Sequence, residues 1–249
     1  VPRIWTQNPP LMRDPSDELE SLESQGLRRH LRQLESPQSG SIQLQATGSC
    51  LNFSSNDYLG LANSDALKES FQKHLERHGV GSGASRLICG TMSPHLALEE
   101  KMAALKRSEA ALTFSSGFAT ATGVIPALCG KEDYLILDKL CHASLIDGAR
   151  LSGATIRIYP HNDLNKLRDH LRWASGKAGT DSRIVVVTES IFSMDGDRAP
   201  LAEIVALKDE FGAMLLLDEA HAFGIIGPEG RGLAAENGLE SSIDLQMGT

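Results

Sequence analysis

The sequence predicts an α/β fold in which a mainly parallel sheet is covered by helices on both faces. Short, continuous apolar runs follow one another along the chain, and amphipathic stretches of helical length separate them. Strands buried on both faces lack the alternation of apolar and polar residues that marks half-exposed strands. Helical connections between such strands favour parallel pairing. The 249 residues suit one large domain or two small ones.

The predicted elements follow from these patterns in chain order. A proline-spotted, polar arm covers residues 1–17, a leucine stripe from Asp17 to Leu34 approximates a helix, and the segments 42–44 and 50–53 alternate like a hairpin. The remaining helices are predicted at residues 64–78, 94–107, 117–129, 143–150, 163–175 and 200–211. Apolar runs at residues 110–114, 134–137, 155–159, 183–188 and 213–217 predict strands, and a further apolar piece lies at 243–245.

These elements predict two parts of the chain. Residues 1–50 hold the arm, the first helix and the start of the hairpin, whereas residues 51–249 form the larger α/β domain. A glycine-rich turn at residues 79–85 follows a helix rather than a strand, so it matches neither a Walker loop nor a dinucleotide-binding fingerprint.

The composition argues against several classes of protein. With 24 basic and 32 acidic residues, the net charge of −8 argues against a nucleic-acid partner, whose phosphates would need neutralising. No apolar run approaches the ~20 residues of a bilayer span, so no membrane attachment is expected. The four cysteines form no CxxC pair, which predicts no metal site and indicates free, mostly buried thiols in a reducing, cytoplasmic compartment.

Ligands of open α/β sheets bind beyond the carboxyl ends of the strands, so the residues there are the functional candidates. Ser116, Gly117 and Phe118 follow the run 110–114 and begin a helix, whose free N–H groups suit a phosphate. An ordinary serine cap is the alternative interpretation of this segment. Asp218 ends the run 213–217, with His221 three residues later, and an aspartate that caps the next turn is the alternative there.

Two further strand ends carry polar residues. The run 183–188 opens into a polar turn that contains Ser193, and Asp195-Gly196 makes an ordinary loop the simplest interpretation. His142 follows a strand and begins a helix, where a lone histidine is more often structural. Their joint occurrence is more informative. A helix start for phosphate, a flat ring and a strand-end carboxylate for a pyridine nitrogen are what a pyridoxal 5′-phosphate (PLP) site requires.

The sequence resembles the α-oxoamine synthases, the fold-type-I PLP enzymes that condense an amino acid with an acyl-CoA. The resemblance covers residues 27–249. It rests on six motifs, NFSSNDYLGL at 52–61, GSGASRLICGT at 81–91, SGF at 116–118, HAS at 142–144, SMDGD at 193–197 and DEAH at 218–221.

The resemblance implies a set of cofactor-binding residues, namely Ser116, Gly117, Phe118, His142, Ser193, Asp218, His221 and Thr249. His142 would stack on the pyridine ring, Asp218 would pair with the ring nitrogen, and His221 would hydrogen-bond the phenolic oxygen with Ser193 nearby. These three, His142, Asp218 and His221, would be the catalytic residues. Ser116, Gly117, Phe118 and Thr249 would lie at the phosphate.

The resemblance also implies the reaction and the partners. Asn56 and one of Arg28 or Arg29 would face the substrate. The run 52–61 favours the decarboxylating condensation of L-alanine with pimeloyl-CoA, or with its carrier-protein thioester, in biotin biosynthesis. Relatives such as 2-amino-3-ketobutyrate CoA ligase, serine palmitoyltransferase and 5-aminolevulinate synthase share the cofactor residues and stay open as alternatives. A homodimer is expected, because active sites of this family lie between subunits.

One departure from the family pattern concerns the Schiff-base lysine. That lysine is expected three residues after Thr249, where the sequence stops, and the family's C-terminal domain would follow it. We therefore expect a fragment or a truncated product of an active enzyme family. A non-catalytic remnant that acts only as a binding module is the alternative.

Overall fold

The computed structural model describes residues 14–249, which form two compact units that divide between Glu76 and Arg77. The predicted arm therefore lies almost entirely outside the described residues. The boundary predicted between residues 50 and 51 stays a prediction.

The first unit opens with helix α1 (Pro15–Ser24), which is shorter than the leucine stripe predicts. Asp14 caps its start, where its side chain accepts the Ser16 N–H at 2.9 Å. Gly26 ends it with a left-handed φ of +67°, a conformation that glycine adopts without strain. The helical interpretation of residues 27–34 was wrong, because the apolar spacing continues past this stop signal.

The predicted hairpin and second helix are confirmed. Strands β1 (Ser41–Leu44) and β2 (Gly48–Leu51) pair antiparallel, with Ile42 opposite Cys50. Helix α2 (Asp65–His78) follows a short 3₁₀ turn, as the pattern at residues 64–78 predicts.

In the second unit, helices and strands alternate along most of the chain. Its elements are α3 (Ser93–Lys106), α4 (Gly117–Leu128), β3 (Tyr134–Asp138), α5 (Ala143–Ser152), β4 (Thr155–Tyr159), α6 (Leu164–Ser175), β5 (Ile184–Glu189), α7 (Leu201–Glu210), β6 (Met214–Asp218), α8 (Leu233–Glu236) and β7 (Leu245–Met247). The five strands pair parallel in the order β4-β3-β5-β6-β7. The predicted fold class is confirmed.

The central strands β3, β5 and β6 are buried on both faces, and their successive residues alternate between two apolar clusters. Leu137, Val187 and Leu216 pack in the cluster that contains residues of α4 and α5. Ile136 and Leu217 pack in the opposite cluster with residues of α6 and α7. Because both faces of these strands are covered, they carry continuous apolar runs, whereas the edge strand β4 is largely exposed.

The strand order defines where a ligand crevice lies. From β3 the chain passes to β4 on one side, and then returns to place β5 on the other side of β3. Such a reversal opens a crevice beyond the carboxyl ends of the two strands at the switch, here β3 and β5. Residues 138–142 and 189–193 follow these ends.

The strand predicted at residues 110–114 is wrong. In the described part of the chain this segment pairs with no strand. Glu99 Oε1 instead accepts both the backbone N–H and the hydroxyl of Thr113, at 2.8 and 2.9 Å. Leu112 keeps 75% of its surface exposed, so the apolar run does not enter the core. The apolar piece at residues 243–245 does form a strand, β7, which begins two residues after the predicted start.

The cysteines are free thiols, as expected, but only half of them are buried. Cys129 and Cys141 lie in the core, whereas Cys89 is exposed and Cys50 is half-buried. Burial raises the pKa of Cys129 to about 11, so this thiol stays protonated at neutral pH.

Across residues 14–249, no helix combines the length and the apolar character that crossing a bilayer requires.

The close packing of α4 on α5 predicts the effect of one substitution. A Cβ at Gly148 would lie 2.6 Å from the Ala121 carbonyl oxygen, so Gly148→Ala forces the two helices apart. We expect the free energy of unfolding to fall by about 1–3 kcal/mol. Gly130→Ala is the matched control, because nothing lies within 4 Å of its Cβ position. Equal urea denaturation curves for the two variants would contradict this account.

Candidate active site

Two buried carboxyl groups stand side by side at the carboxyl ends of β5 and β6. Glu189 and Asp218 are register partners in the parallel ladder and are 3% and 7% exposed. Residues two apart on a strand share a face, so these side chains follow Val187 and Leu216 toward the α4/α5 side of the sheet. The crevice therefore has an acidic floor on this side.

Asp218 is hydrogen-bonded by a backbone N–H and lies near two imidazoles. Its Oδ1 accepts the Ala220 N–H at 2.9 Å, and no lysine or arginine among residues 14–249 forms an ion pair with it. Burial raises the pKa of Asp218, while the Ala220 N–H and the neighbouring imidazoles of His142 and His221 act in the opposite direction. A bound cation would offset the cost of burying this carboxylate.

His142 stands at the start of α5, and its ring is held in place through one nitrogen. Nδ1 accepts the Ser144 N–H at 3.2 Å and lies 2.8 Å from the Ser144 hydroxyl. The backbone N–H of His142 donates to Glu189 Oε1 at 2.5 Å. The contacts of the ring with Ser144 involve Nδ1 alone, and the residue is exposed.

Glu189 is a site residue that the sequence reasoning missed. Its pKa is raised to about 7, chiefly by burial and also by the nearby Asp218 and Asp138 carboxylates, against the N–H groups of His142 and Ser193, which lower it. The predicted strand stopped at residue 188, which left Glu189 in the polar turn. The same strand-end argument that singled out Asp218 identifies it once β5 is extended by one residue.

The start of α4 brings three predicted residues together with Thr249. Ser116 caps the helix, and its hydroxyl accepts the Ala119 N–H at 3.1 Å. The N–H groups of Gly117 and Phe118 belong to the first turn, where a helix provides no acceptor of its own. A Cβ at Gly117 would lie 2.7 Å from Thr249 Cγ2, so only glycine allows this approach.

The remaining predicted residues are placed as follows. Ser193 is exposed in the loop after β5, and His221 is half-buried in the turn after β6. Arg28, Arg29 and Asn56 belong to the first compact unit, in which Arg28 Nε lies 3.5 Å from Glu23 Oε2. The assigned roles of all these residues stay predictions.

The third strand-end carboxylate, Asp138, is occupied by protein contacts. It follows Ile136 toward the α6/α7 side, where Oδ1 lies 2.9 Å from His161 Nδ1 and Oδ2 accepts the Asn162 N–H at 2.9 Å. The other ring nitrogen of His161 lies 2.7 Å from Asp197 Oδ2. Burial lowers the pKa of His161, but the two carboxylates outweigh it and raise the pKa overall. This bridge fixes the loop that carries Ser193.

A buried ion pair supports the segment that follows Asp218. Glu219 is fully buried, its Oε2 pairs with Lys106 Nζ, and its Oε1 accepts the Ala234 N–H at 3.0 Å. Lys106 also donates to the Arg231 carbonyl, so one lysine joins α3 to both ends of the turn that contains His221. The sequence offered no signal for this pair, because 113 positions separate its members.

A second charge cluster anchors the glycine-rich segment. Arg86 donates through both terminal nitrogens to the two oxygens of Glu99, and Thr113 donates to the same carboxylate. The Arg86 side chain is the largest cause that lowers the pKa of Glu99, to about 2. Glu99 is therefore ionised throughout the neutral range and holds residues 86 and 113 against α3.

Comparison with known proteins places this arrangement in a family. The family model described as aminotransferase class I and II matches residues 48–245. The chain belongs to the aminotransferase class I and II family.

Within that family, the chain is similar to 8-amino-7-oxononanoate synthases. It is 48% identical over 233 residues to the enzyme of Geotalea daltonii, with 94% of this chain and 58% of the relative covered. The Geobacter sulfurreducens enzyme is 47% identical over 239 residues, with 96% and 60% covered. The chain thus spans about 58% of the length of these curated relatives. They confirm the resemblance that the motifs predict.

Solved structures with the same fold come from two members of this group. A serine palmitoyltransferase from S. paucimobilis, with a PLP–myriocin aldimine bound, has a TM-score of 0.85 at 32% identity and covers 94% of this chain and 58% of its own. The 8-amino-7-oxononanoate synthase of Francisella tularensis has a TM-score of 0.61 at 28% identity, with 78% and 50% covered.

The Lys106–Glu219 pair predicts a large loss of stability when its cation is removed. Lys106→Met leaves the buried Glu219 carboxylate without its counter-ion, and we expect the free energy of unfolding to fall by about 3–5 kcal/mol. Lys101→Met, on the exposed face of the same helix, is the matched control and should be near neutral. Urea denaturation of both variants measures the difference, and similar midpoints would contradict a buried, paired Glu219.

Proposed function

We propose that this chain provides the PLP-binding part of an enzyme that condenses L-alanine with a pimeloyl thioester to form 8-amino-7-oxononanoate. The observation that carries the proposal is the buried Asp218 carboxylate, which lies at a strand end and has no lysine or arginine partner within residues 14–249. It faces the side of the sheet on which α4 and α5 begin. The similarity to 8-amino-7-oxononanoate synthases supports the choice of reaction.

The donor set fits PLP at both ends of that cofactor. A pyridine ring that is protonated at its nitrogen is a flat cation. Its charge would offset the cost of burying the Asp218 carboxylate. The first-turn N–H groups of α4, with the local helix dipole, suit the phosphate dianion. The close approach of Thr249 Cγ2 to Gly117 brings the Thr249 side chain to the start of α4, which Ser116 caps.

Each proposed contact rests on the resemblance to the α-oxoamine synthases and suits the chemistry of the side chain. Asp218 would hold the proton on the ring nitrogen, and His142 would cover one ring face and exclude water from it. Ser193 and His221 would lie near the phenolic oxygen, and the phosphate would be held by Ser116, Gly117, Phe118 and Thr249. When bound, PLP supplies a ring that accepts electron density from the α-carbon of the amino acid. His142, Asp218 and His221 are thus the proposed catalytic residues.

The substrate side of the proposal rests on the first compact unit. Asn56 and one of Arg28 or Arg29 are proposed to face the amino acid or the acyl donor. The 47–48% identity to 8-amino-7-oxononanoate synthases favours L-alanine and a pimeloyl thioester. Serine with palmitoyl-CoA is the second candidate, because serine palmitoyltransferase is a structural neighbour with a TM-score of 0.85, although at 32% identity.

Two further features belong to the proposal. We infer that the protein forms a homodimer, and this inference rests on the resemblance to the α-oxoamine synthases. We also infer a cytoplasmic location, supported by four free cysteines that a reducing compartment would preserve.

Cofactor binding is tested with pyridoxamine 5′-phosphate, which has the ring nitrogen and the phosphate of PLP but forms no Schiff base with lysine. Calorimetry on the 249-residue chain should show binding, and Asp218→Asn should weaken it at least tenfold, because a charge-assisted hydrogen bond is lost. Asp181→Asn, an exposed acid of the same unit, is the control and should bind normally. Equal affinity of the Asp218→Asn variant and the parent chain would refute the proposed role of Asp218.

Pyridoxamine serves as the second probe in this titration, because it lacks the phosphate. It should bind at least tenfold more weakly than its 5′-phosphate if the start of α4 holds the phosphate. Equal binding of the two probes would place the phosphate elsewhere.

Substrate choice is tested on the whole polypeptide that the gene encodes, because the relatives are longer than this chain. L-alanine with pimeloyl-CoA should release CoA, detected with a thiol reagent, and carbon dioxide in equal amounts. Glycine with acetyl-CoA and serine with palmitoyl-CoA should give at most a hundredth of that kcat/KM. Faster turnover with serine and palmitoyl-CoA would favour the second candidate.

A further inference from the structure

We propose that Glu189 is a positioning residue of the cofactor site, whose carboxyl group ties the backbones of His142 and Ser193 to the end of β5. The proposal rests on the proposed function, because His142 and Ser193 matter there as contacts of the bound ring.

The position of Glu189 in the fold is the first support for the proposal. Glu189 is the last residue of β5 and is 3% exposed, with its side chain on the α4/α5 face of the sheet. Its Oε1 accepts the His142 N–H at 2.5 Å, and the nearby Ser193 N–H lowers the pKa of the carboxyl group. These two N–H groups belong to different connections, one between β3 and α5 and the other between β5 and α7. The Glu189 side chain thus holds one loop by a hydrogen bond and lies beside the other.

Contacts of the residues next to His142 also hold this segment beside β5. The Cys141 thiol lies 3.4 Å from the Val187 carbonyl oxygen, one residue before the His142 contact. Ser144 then fixes the imidazole through Nδ1. Glu189 therefore sets the backbone from which the ring of His142 projects, and Ser144 sets the direction of the ring.

The cost of burying Glu189 argues that this contact has a purpose beyond filling the core. A carboxyl group beside Asp218 and Asp138 is destabilised by burial and by like charge. An apolar residue of similar size would fill the same place without that cost. The His142 N–H and the start of α5 offset part of that cost. We therefore infer that the contact with the His142 backbone is what the buried carboxyl group provides.

The experiment compares Glu189→Ala and Glu189→Gln with Glu203→Ala, a control at an exposed glutamate of α7. The first readout is amide hydrogen exchange in the chain without ligand. In Glu189→Ala the amides of His142 and Ser193 should exchange at least tenfold faster, while the amide of Ile136 in β3 keeps its rate. Glu189→Gln, which keeps one acceptor oxygen, should restore part of the protection. Glu203→Ala should change neither.

The second readout is affinity for pyridoxamine 5′-phosphate. Glu189→Ala should weaken binding at least tenfold, with Glu189→Gln between this variant and the parent chain. If His142, Ser193 and Ile136 accelerate together, Glu189 only stabilises the core and the proposal is overturned. Unchanged His142 and Ser193 amides would overturn it as well, and so would faster amides with unchanged affinity. If the parent chain does not bind the probe, the proposed function fails, while the exchange data still decide whether Glu189 ties the two loops.

Discussion

Three carboxyl groups are buried where three adjacent parallel strands end, and the way each one is satisfied determines the rest of the site. Asp138, Glu189 and Asp218 end β3, β5 and β6. A buried carboxylate is costly unless it is hydrogen-bonded or paired with a cation. Asp138 is satisfied by His161 and the Asn162 N–H, and Glu189 by the His142 N–H. Asp218 has the Ala220 N–H and nearby imidazoles, and it is the one of the three that a cationic ligand would complete.

Because successive side chains of a strand point to opposite faces, the three carboxyl groups are divided between the two faces of the sheet. Asp138 points to the α6/α7 side, where it contacts His161 and Asn162. His161 also contacts Asp197, and this contact holds the loop that carries Ser193. Glu189 and Asp218 point to the α4/α5 side, where helix starts provide N–H groups. Because the period of a strand is two, a shift of one residue in any of these strands would exchange the supporting face and the binding face.

The sequence predicted the sheet well because strands covered on both faces produce a signal that needs no long-range information. The runs at residues 134–137 and 213–217 lie within one residue of the observed strands. The run at 110–114 has the same local appearance, yet it was predicted wrongly, because its polar groups are taken by Glu99, a residue of α3. The overrun of α1 has a local cause, since the leucine spacing outweighed the stop at Gly26.

The candidate site was predictable where a residue type and a strand end coincide, as for Asp218 and His142. Glu189 was missed by a boundary error of one residue, because the strand was ended at Thr188 and the glutamate was assigned to the turn. Lys106 and the His161 bridge were beyond sequence reasoning, since their partners lie in distant segments. Residues proposed to contact a ligand thus have a signal in the local sequence, whereas the residues that hold them in place are brought there by the tertiary fold.

The adjacent acids Asp218 and Glu219 show that the fold satisfies two neighbouring carboxyl groups in different ways. Both are buried. Glu219 receives Lys106 and the Ala234 N–H, so its charge is neutralised by the protein and its segment is fixed. Asp218 receives no lysine or arginine from residues 14–249, although the imidazoles of His142 and His221 lie near it. A buried carboxylate attracts a cationic ring more strongly than one exposed to solvent, because the protein interior screens charge less than water does.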